Sequence, residues 1–516
     1  MPAGWRHSAP QVTKRHRSSI VLNNVTRGFI DACEQEPLHL SGAIQPHGAL
    51  LVLDNAGRVS HASRNLPEWL GIEAERLIGS PLSEALRDTV NGLGDAPGQR
   101  LAHNAWPLAD RDVAVAVTRG DEGQVFIELL PAQGSEDDED APATMRRRDP
   151  AGWPTFRNDS EVAAAREALV TRLRDESGFD RVLFYAFLPG GDGEVLAEAR
   201  SETAEGSYLG LRFPASDIPQ VARDLYALNP WRTIPDARAD SVEVLSTSPT
   251  RPDLSLIDLR SVSPVHRLYM GNMGVSGAIS FPLMTANRLA GLISLHAYTP
   301  RRLAPPELRR LADEVKRYEM ARREFDTRQR MELTDSIERR FEAMNQEVID
   351  KGGLETAWPT IGRWLREEFG ADGVMLDDGL GLYTDGLCLE PEALEAVRAW
   401  CDNNAESTLI SESLSGECPD MPLSEVAGLL ASEVTLEDGR RLQLLLCRRE
   451  EVQEVAWGGN PDKPTEQVSG DHPIAPRRSF ERWVEQRLGY SRPWPANTHL
   501  KLLKLRVLAS AFSRDE

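Results

Sequence analysis

The chain has 516 residues, 41% hydrophobic and 27% charged, a composition suited to roughly three soluble globular domains, each with its own core. A formal net charge of −21 excludes nucleic acid as the main partner, because phosphate contacts need clustered Lys and Arg. No run of about 18 apolar residues occurs, so nothing in the sequence is built to span a membrane.

Residues 1–27 carry Arg6, Lys14, Arg15 and Arg17 with no apolar stretch behind them, which reads as a disordered basic tail and not a signal peptide. The five cysteines, Cys33, Cys388, Cys401, Cys418 and Cys447, are odd in number and widely spaced, as expected of free thiols in a reducing cytoplasm. Residues from about 35 to 130 alternate short apolar runs with turns and predict a small α+β domain, including a hairpin of 49–53 and 58–62 around Asp54-Asn55-Ala56-Gly57. Residues 136–152, with Glu136 to Asp140 and Arg146 to Arg148, predict a solvated charged linker.

A second domain over 153–325 is expected to hold a helix near 162–174, a strand pair 181–187 and 194–199 around Pro189-Gly190-Gly191-Asp192-Gly193, and a second pair, 277–284 and 289–298. Residues 234–258 are polar and proline-dotted and predict a long functional loop. Between these lies Pro214-Ala215-Ser216-Asp217-Ile218-Pro219. Each proline fixes φ, removes a donor and pushes the preceding residue toward extended geometry, so Asp217 sits on stiff, irregular backbone. The plain reading makes Ser216 or Asp217 the N-cap of a helix over 220–226. The alternative presents a polar group to a ligand.

From Glu307 to Ile349 there is neither Pro nor Gly, and Leu308, Leu311, Val315, Tyr318, Leu333, Ile337, Phe341, Met344 and Val348 recur at helical steps. This predicts one long helix, or two in register, able to carry a signal or a dimer interface, or simply to pack on a surface. The third domain, 326–516, is expected to contain a helix over 356–368, a strand over 441–446 and an exit helix over 500–512. An arm, about 450–482, carries Trp457-Gly458-Gly459 and Pro476-Arg477-Arg478-Ser479-Phe480.

Among constellations that could carry chemistry, Cys33, His39 and His47 match no zinc spacing. A nucleophilic Cys33 is disfavoured by Asp31, Glu34 and Glu36, which raise a thiol pKa. A thiol on an N-terminal arm suits a single covalent attachment better, or is a plain surface thiol. His266 and His296 lie beside or within apolar strands, where a lone histidine is commonly a satisfied core residue. With Tyr185, Tyr226 and Tyr269 they outline a pocket, and Arg232 and Arg260 could hold carboxylates bidentately, or stand as solvated charges.

Taken together, Cys33-Glu34, Glu36 through His39, Ile44 through Gly48, Phe213 through Pro219, Arg260 through His266, Asn272 through Val275, Trp457 through Gly459 and Pro476 through Phe480 resemble the bacterial phytochromes over nearly the whole chain. The resemblance implies an α+β protein of three domains, PAS (28–135), GAF (153–325) and PHY (326–516, with the arm as its tongue). Each has an antiparallel sheet with flanking helices, and Ile44 and the 234–258 loop form an N-terminal figure-of-eight knot. It implies biliverdin IXα, a linear tetrapyrrole, joined by thioether to Cys33; Val265 stands where phytobilin-binding relatives place their cysteine.

By the same matching, the Asp217 carbonyl with His266 serves the pyrrole nitrogens, while Arg232, Arg260, Tyr226, Ser263 and Ser280 serve the propionates. His296 meets the D-ring carbonyl, Tyr185, Phe213 and Tyr269 surround that ring, and Ile218 lines the site. Arg477, Ser479 and Trp457 of the tongue are signalling residues, with Arg477 pairing the Asp217 carboxylate. Ala278, Ala290 and Ala297 depart from the family pattern, so the pocket is expected to be looser there.

The implied function is red/far-red sensing with relay through the tongue and helix to an output kinase or effector, from a homodimer. No enzymatic activity is expected of the residues present. The competing readings are a sensor of the same fold with another ligand or none, and, more weakly, a cysteine-dependent enzyme.

Overall fold

The computed structural model describes residues 36–108, 111–132, 153–247, 249–404, 407–435, 439–461, 480–495 and 497–509. The tail, Cys33, the charged linker, Arg477 and Ser479 therefore lie outside the described residues. Three antiparallel-based sheets organise the chain. No described helix is long and apolar enough to cross a membrane.

The first sheet has seven strands. Its centre, Ala49–Leu53, is buried at every position, and the predicted hairpin with Val59–Ser63 forms. One strand comes from elsewhere. Val242–Ser246, inside the segment expected to be loop, pairs with both Val59–Ser63 and Ala43–Ile44. The 234–258 stretch thus contains a strand that joins the first domain's sheet, because Val242 and Val244 supply period-two apolar positions on one face and Leu245 an apolar side chain on the other, a pattern that a proline count hides. Gln45 binds the carbonyls of Thr233 and Asp258 through Nε2, and Glu128 accepts the N–H groups of Asp258 and Leu259. Ile44 and the returning chain are laced together as expected.

The second sheet has eight strands. Arg181–Phe187 and Gly193–Arg200 form the predicted hairpin, and Gly277–Thr285 pairs with Arg288–Ala297. One face packs against the helix Asp159–Ser177 and the start of the helix Pro305–Asp350. The other face is left for the site. The last two strands belong to the arm: Gln453–Gly458 and Arg482–Arg487 form a hairpin, docked parallel to Arg212–Phe213 through Trp457 and Arg212.

The long helix is a single 46-residue element, about 69 Å at 1.5 Å per residue. Its apolar positions serve two cores in turn. Leu308, Leu311, Val315, Tyr318 and Phe325 pack into the second domain, whereas Met344 and Val348 meet the third. The third domain is a five-stranded sheet covered by Leu354–Phe369 on one side and Pro391–Asp402 on the other. The exit helix runs Thr498–Ala509 and ties back to the long helix through Lys504 and Glu338.

Candidate functional site

The uncovered face of the second sheet, the helices Gln220–Leu228 and Pro264–Asn272, and the 214–219 segment enclose a cavity of about 230 Å³ of water-accessible space. Tyr185, Phe213, Asp217, Ile218, Tyr226, Arg232, Arg260, Ser263, His266, Tyr269, Ser280 and His296 all line it. The described predicted binding residues, scattered along the sequence, are thus brought to one chamber. Trp457 is buried in the arm, its indole N–H donating to Glu485 at 2.8 Å.

Strand alternation explains who faces in. Along Arg288–Ala297, residues 292, 294 and 296 line the cavity, while Ala297 is fully buried in the opposite core with Ile293 and Leu295. The expectation that Ala297 loosens the pocket is therefore corrected: a residue one step along a strand points to the other face. Ala290 does not line the cavity, whereas Ala278 does, directly across the ladder from His296. The N-cap expectation is corrected too. Ala215–Asp217 make a tight turn, Pro219 occupies the N-cap of Gln220–Leu228 and no side chain caps it. The Asp217 carboxylate instead accepts the Tyr269 hydroxyl at 3.1 Å.

The polar wall is cationic and under-satisfied. Arg232 donates to the carbonyls of Asp258, Arg260 and Ser261, so its guanidinium is largely spent on main chain. Arg260 is 8% exposed, and its Nη1 is buried with no hydrogen-bond partner among the described residues. Burial and the neighbouring Arg232 lower its pKa to about 9, which leaves it a cation at neutral pH in want of an anion. His296 binds Ser294 Oγ through Nε2 at 2.9 Å, and its Nδ1 is likewise buried and unpartnered among the described residues. Ser263 donates to Glu36 at 2.9 Å.

Burial, reinforced by Arg232, lowers His266 to about 4. Burial, then Arg181 and His266, lowers His296 to about 3, and burial with Arg302 and Arg232 does the same to His47. All three rings are neutral at pH 7. Since an unfolded histidine titrates near 6.5, the unfolded chain takes up protons first on acidification. The contribution of these rings is fully present above about pH 6.5 and is lost as pH falls toward 4. Urea midpoints of the ligand-free protein are expected to drop over that window, less steeply in His296→Gln; equal pH slopes for the variant and the parent chain would contradict it.

Sequence reasoning missed Ser294, Tyr208 and Glu36, which also line the cavity. The period-two pattern with Leu292 and His296 could have found Ser294. It also missed Gly193, where a Cβ would lie 1.9 Å from Tyr185 Cζ; the glycine makes room for that ring.

Across the site, Tyr269 stacks with His266 and meets Phe480 of the arm edge-on at 5.2 Å. The arm thus reaches a cavity residue that itself holds Asp217.

Comparison with known proteins agrees with this architecture. The family model for the phytochrome region matches residues 342–514, and a PAS-fold model matches 33–109. A bacteriophytochrome of Xanthomonas campestris pv. campestris is 31% identical over 519 residues, 94% of this chain and 79% of that protein. The chain belongs to the bacterial phytochromes, as a photosensory module. Cyanobacterial phytochrome B of Nostoc sp. is 31% identical over 511 residues, covering 94% of this chain and 67% of that phytochrome. Among solved phytochromes, the photosensory core module from Stigmatella aurantiaca superposes with a TM-score of 0.76 at 30% identity, covering 94% of this chain and 99% of that one.

Proposed function

We propose that this phytochrome module is a red/far-red photoreceptor that binds biliverdin IXα through a thioether to Cys33 and relays the light signal through the arm. The observation that carries the reading is the unsatisfied pair lining one cavity, Arg260 Nη1 and His296 Nδ1. Buried donors and acceptors without partners are costly, and a ligand bearing carboxylates and a carbonyl would satisfy both. The rest of the wall, with Leu183, Val262, Val265, Met270, Met273 and Leu292, is apolar and suits a conjugated tetrapyrrole. Glu36, in the same Cys-Glu-Gln-Glu run as Cys33, lines the cavity, which supports an attachment from that side.

The bound bilin would supply visible-light absorption and a double bond that isomerises. Arg260, with Arg232, Tyr226, Ser263 and Ser280, would hold the carboxylates. Asp217 and His266 would face the pyrrole nitrogens, and His296, kept neutral, would meet the terminal ring carbonyl among Tyr185, Phe213 and Tyr269. Arg477 would hold the Asp217 carboxylate from the arm. We further propose a cytoplasmic homodimer passing its signal to an output kinase or effector, with no enzymatic activity in the residues present.

Mixing the protein with biliverdin is expected to produce a red to far-red absorbance band that changes on illumination; absence of a band would overturn the reading. Cys33→Ala is expected to keep at least part of the band but lose the zinc-dependent fluorescence of the denatured chain. A fluorescent denatured band in the variant would rule out that attachment site.

A further inference from the structure

The Asp217 segment needs an anchor that its two prolines do not provide. A proline fixes its own φ but leaves the ψ angles of Ala215, Ser216 and Asp217 to neighbouring contacts. Two of those contacts come from one side chain that does not line the cavity. Arg223, in the first turns of Gln220–Leu228, donates Nε to the Ile218 carbonyl at 2.7 Å and Nη2 to the Ala215 carbonyl at 3.3 Å. It thus grips the main chain on both sides of Asp217. Nη2 also reaches the Gly191 carbonyl at 2.6 Å, and the guanidinium lies 4.1 Å over the Phe187 ring.

The same hairpin turn supplies a second tie: Asp192 Oδ1 accepts the Ala215 N–H at 3.0 Å. Gly191 holds φ +92°, a conformation that favours glycine, and a Cβ there would sit 3.2 Å from the Ala215 methyl. The turn between Arg181–Phe187 and Gly193–Arg200 is therefore shaped as a cradle for the segment, with Arg223 bridging cradle and segment.

We propose that Arg223 is the positioning residue for the Asp217 main-chain carbonyl: clamped between the Phe187 ring and the Gly191 carbonyl, it fixes the aim of that carbonyl into the chamber. The inference deepens the photoreceptor reading and rests on it for its spectroscopic consequence. A carbonyl aimed at a protonated pyrrole system stabilises the proton, so a segment that wanders holds it less tightly. A planar fork is needed because carbonyls on the hairpin turn and on the 215–218 segment must be met at fixed angles, which an ammonium cannot do.

Two measurements decide it, on the full chain. In the ligand-free protein, Arg223→Met is expected to speed amide exchange at Asp217 and Ile218, whose N–H groups bind Pro214 and Ala215, at least tenfold. Exchange at Leu225 to Leu228 in the same helix is expected to stay unchanged. Unchanged exchange at Asp217 overturns the inference whether or not a bilin binds.

In the biliverdin-loaded protein, the pH midpoint of the red band is expected to fall by the equivalent of at least a tenfold loss of proton affinity, with Arg223→Lys recovering part of it. A midpoint equal to that of the parent chain overturns the inference. If the parent chain itself forms no band, the photoreceptor reading fails and the exchange data alone decide the positioning role. Should Arg223→Met not fold, the Arg223→Lys exchange profile, expected between the two, serves in its place.

Discussion

Gly458→Ala is expected to loosen the arm from the second domain and to impair photoproduct formation while leaving pigment binding in place. Gly458 ends the strand Gln453–Gly458, and a Cβ built on it would lie 2.6 Å from Cε1 and Cζ of Phe213. Phe213 cannot step aside freely. Its ring is 5% exposed and packs against Tyr185 and Tyr208, each with centroids 6.0 Å away. Overpacking of this kind costs about 1–3 kcal/mol, and because the arm is joined to the sheet by a short register at Trp457 and Arg212, it yields before the core does. The shift corresponds to roughly a fivefold to 150-fold rise in the undocked population.

Amide exchange over 453–458 and 482–487 should accelerate by about that factor, and the light-induced difference spectrum should shrink in amplitude. Exchange as slow as in the parent chain would show that Phe213 accommodates the methyl and that the close approach has no consequence. Because Gly458 itself lies outside the residues that line the cavity, the amount of pigment bound serves as an internal control.

Much of the site was legible in the sequence because its residues sit in short, chemically unusual strings. Pro214 to Pro219 announces irregular backbone, and Arg260 through His266 combines a cation, a hydroxyl and an imidazole within one turn and the start of a helix. What these strings did not disclose is direction. Arg232 and Arg260 look equivalent in the sequence, yet the chain returning through Asp258, Arg260 and Ser261 takes up the donors of Arg232 and leaves Arg260 Nη1 for the chamber. The N-cap reading of Asp217 failed for a related reason: local propensity favours an acid before a helix, but Pro219 already occupies the cap and Tyr269, far along the chain, claims the carboxylate.

The strand at Val242–Ser246 was hidden because its partners lie in another domain, so its flanks read as loop. Ala297 misled because a position matched by residue type says nothing about which face of a strand it occupies. For Arg232, the Asp217 carboxylate and the Val242–Ser246 strand the missing information is a long-range contact, which no local pattern carries.

Arg181 is the position where loss of a single side chain is expected to damage the second domain most. Its side chain and that of its ion-pair partner Glu198 are 1% and 3% exposed. The guanidinium also donates to the carbonyl of Glu205 at 2.5 Å and to the Tyr298 hydroxyl, and it lies 4.2 Å over the Tyr208 ring. Glu198 accepts the N–H of Tyr208 at 3.1 Å and the Ser207 hydroxyl. The pair therefore pins the 201–211 connection, with Tyr208 set against Phe213 at the cavity.

Arg181→Met leaves a buried carboxylate without its cation, a defect worth about 3–5 kcal/mol, and lowers the melting temperature of this domain by roughly 6–20 °C. The penalty belongs to the stranded charge more than to the lost pair, so Arg181→Met with Glu198→Leu is expected to recover most of it. Thermal melts of the two single variants and the double variant separate the cases: a double variant as unstable as the sum of the singles would mean that the carboxylate was never stranded. Even where stability returns, the double variant should bind pigment with a broadened band, because the Tyr208 N–H has lost the acceptor that fixed its ring beside Phe213.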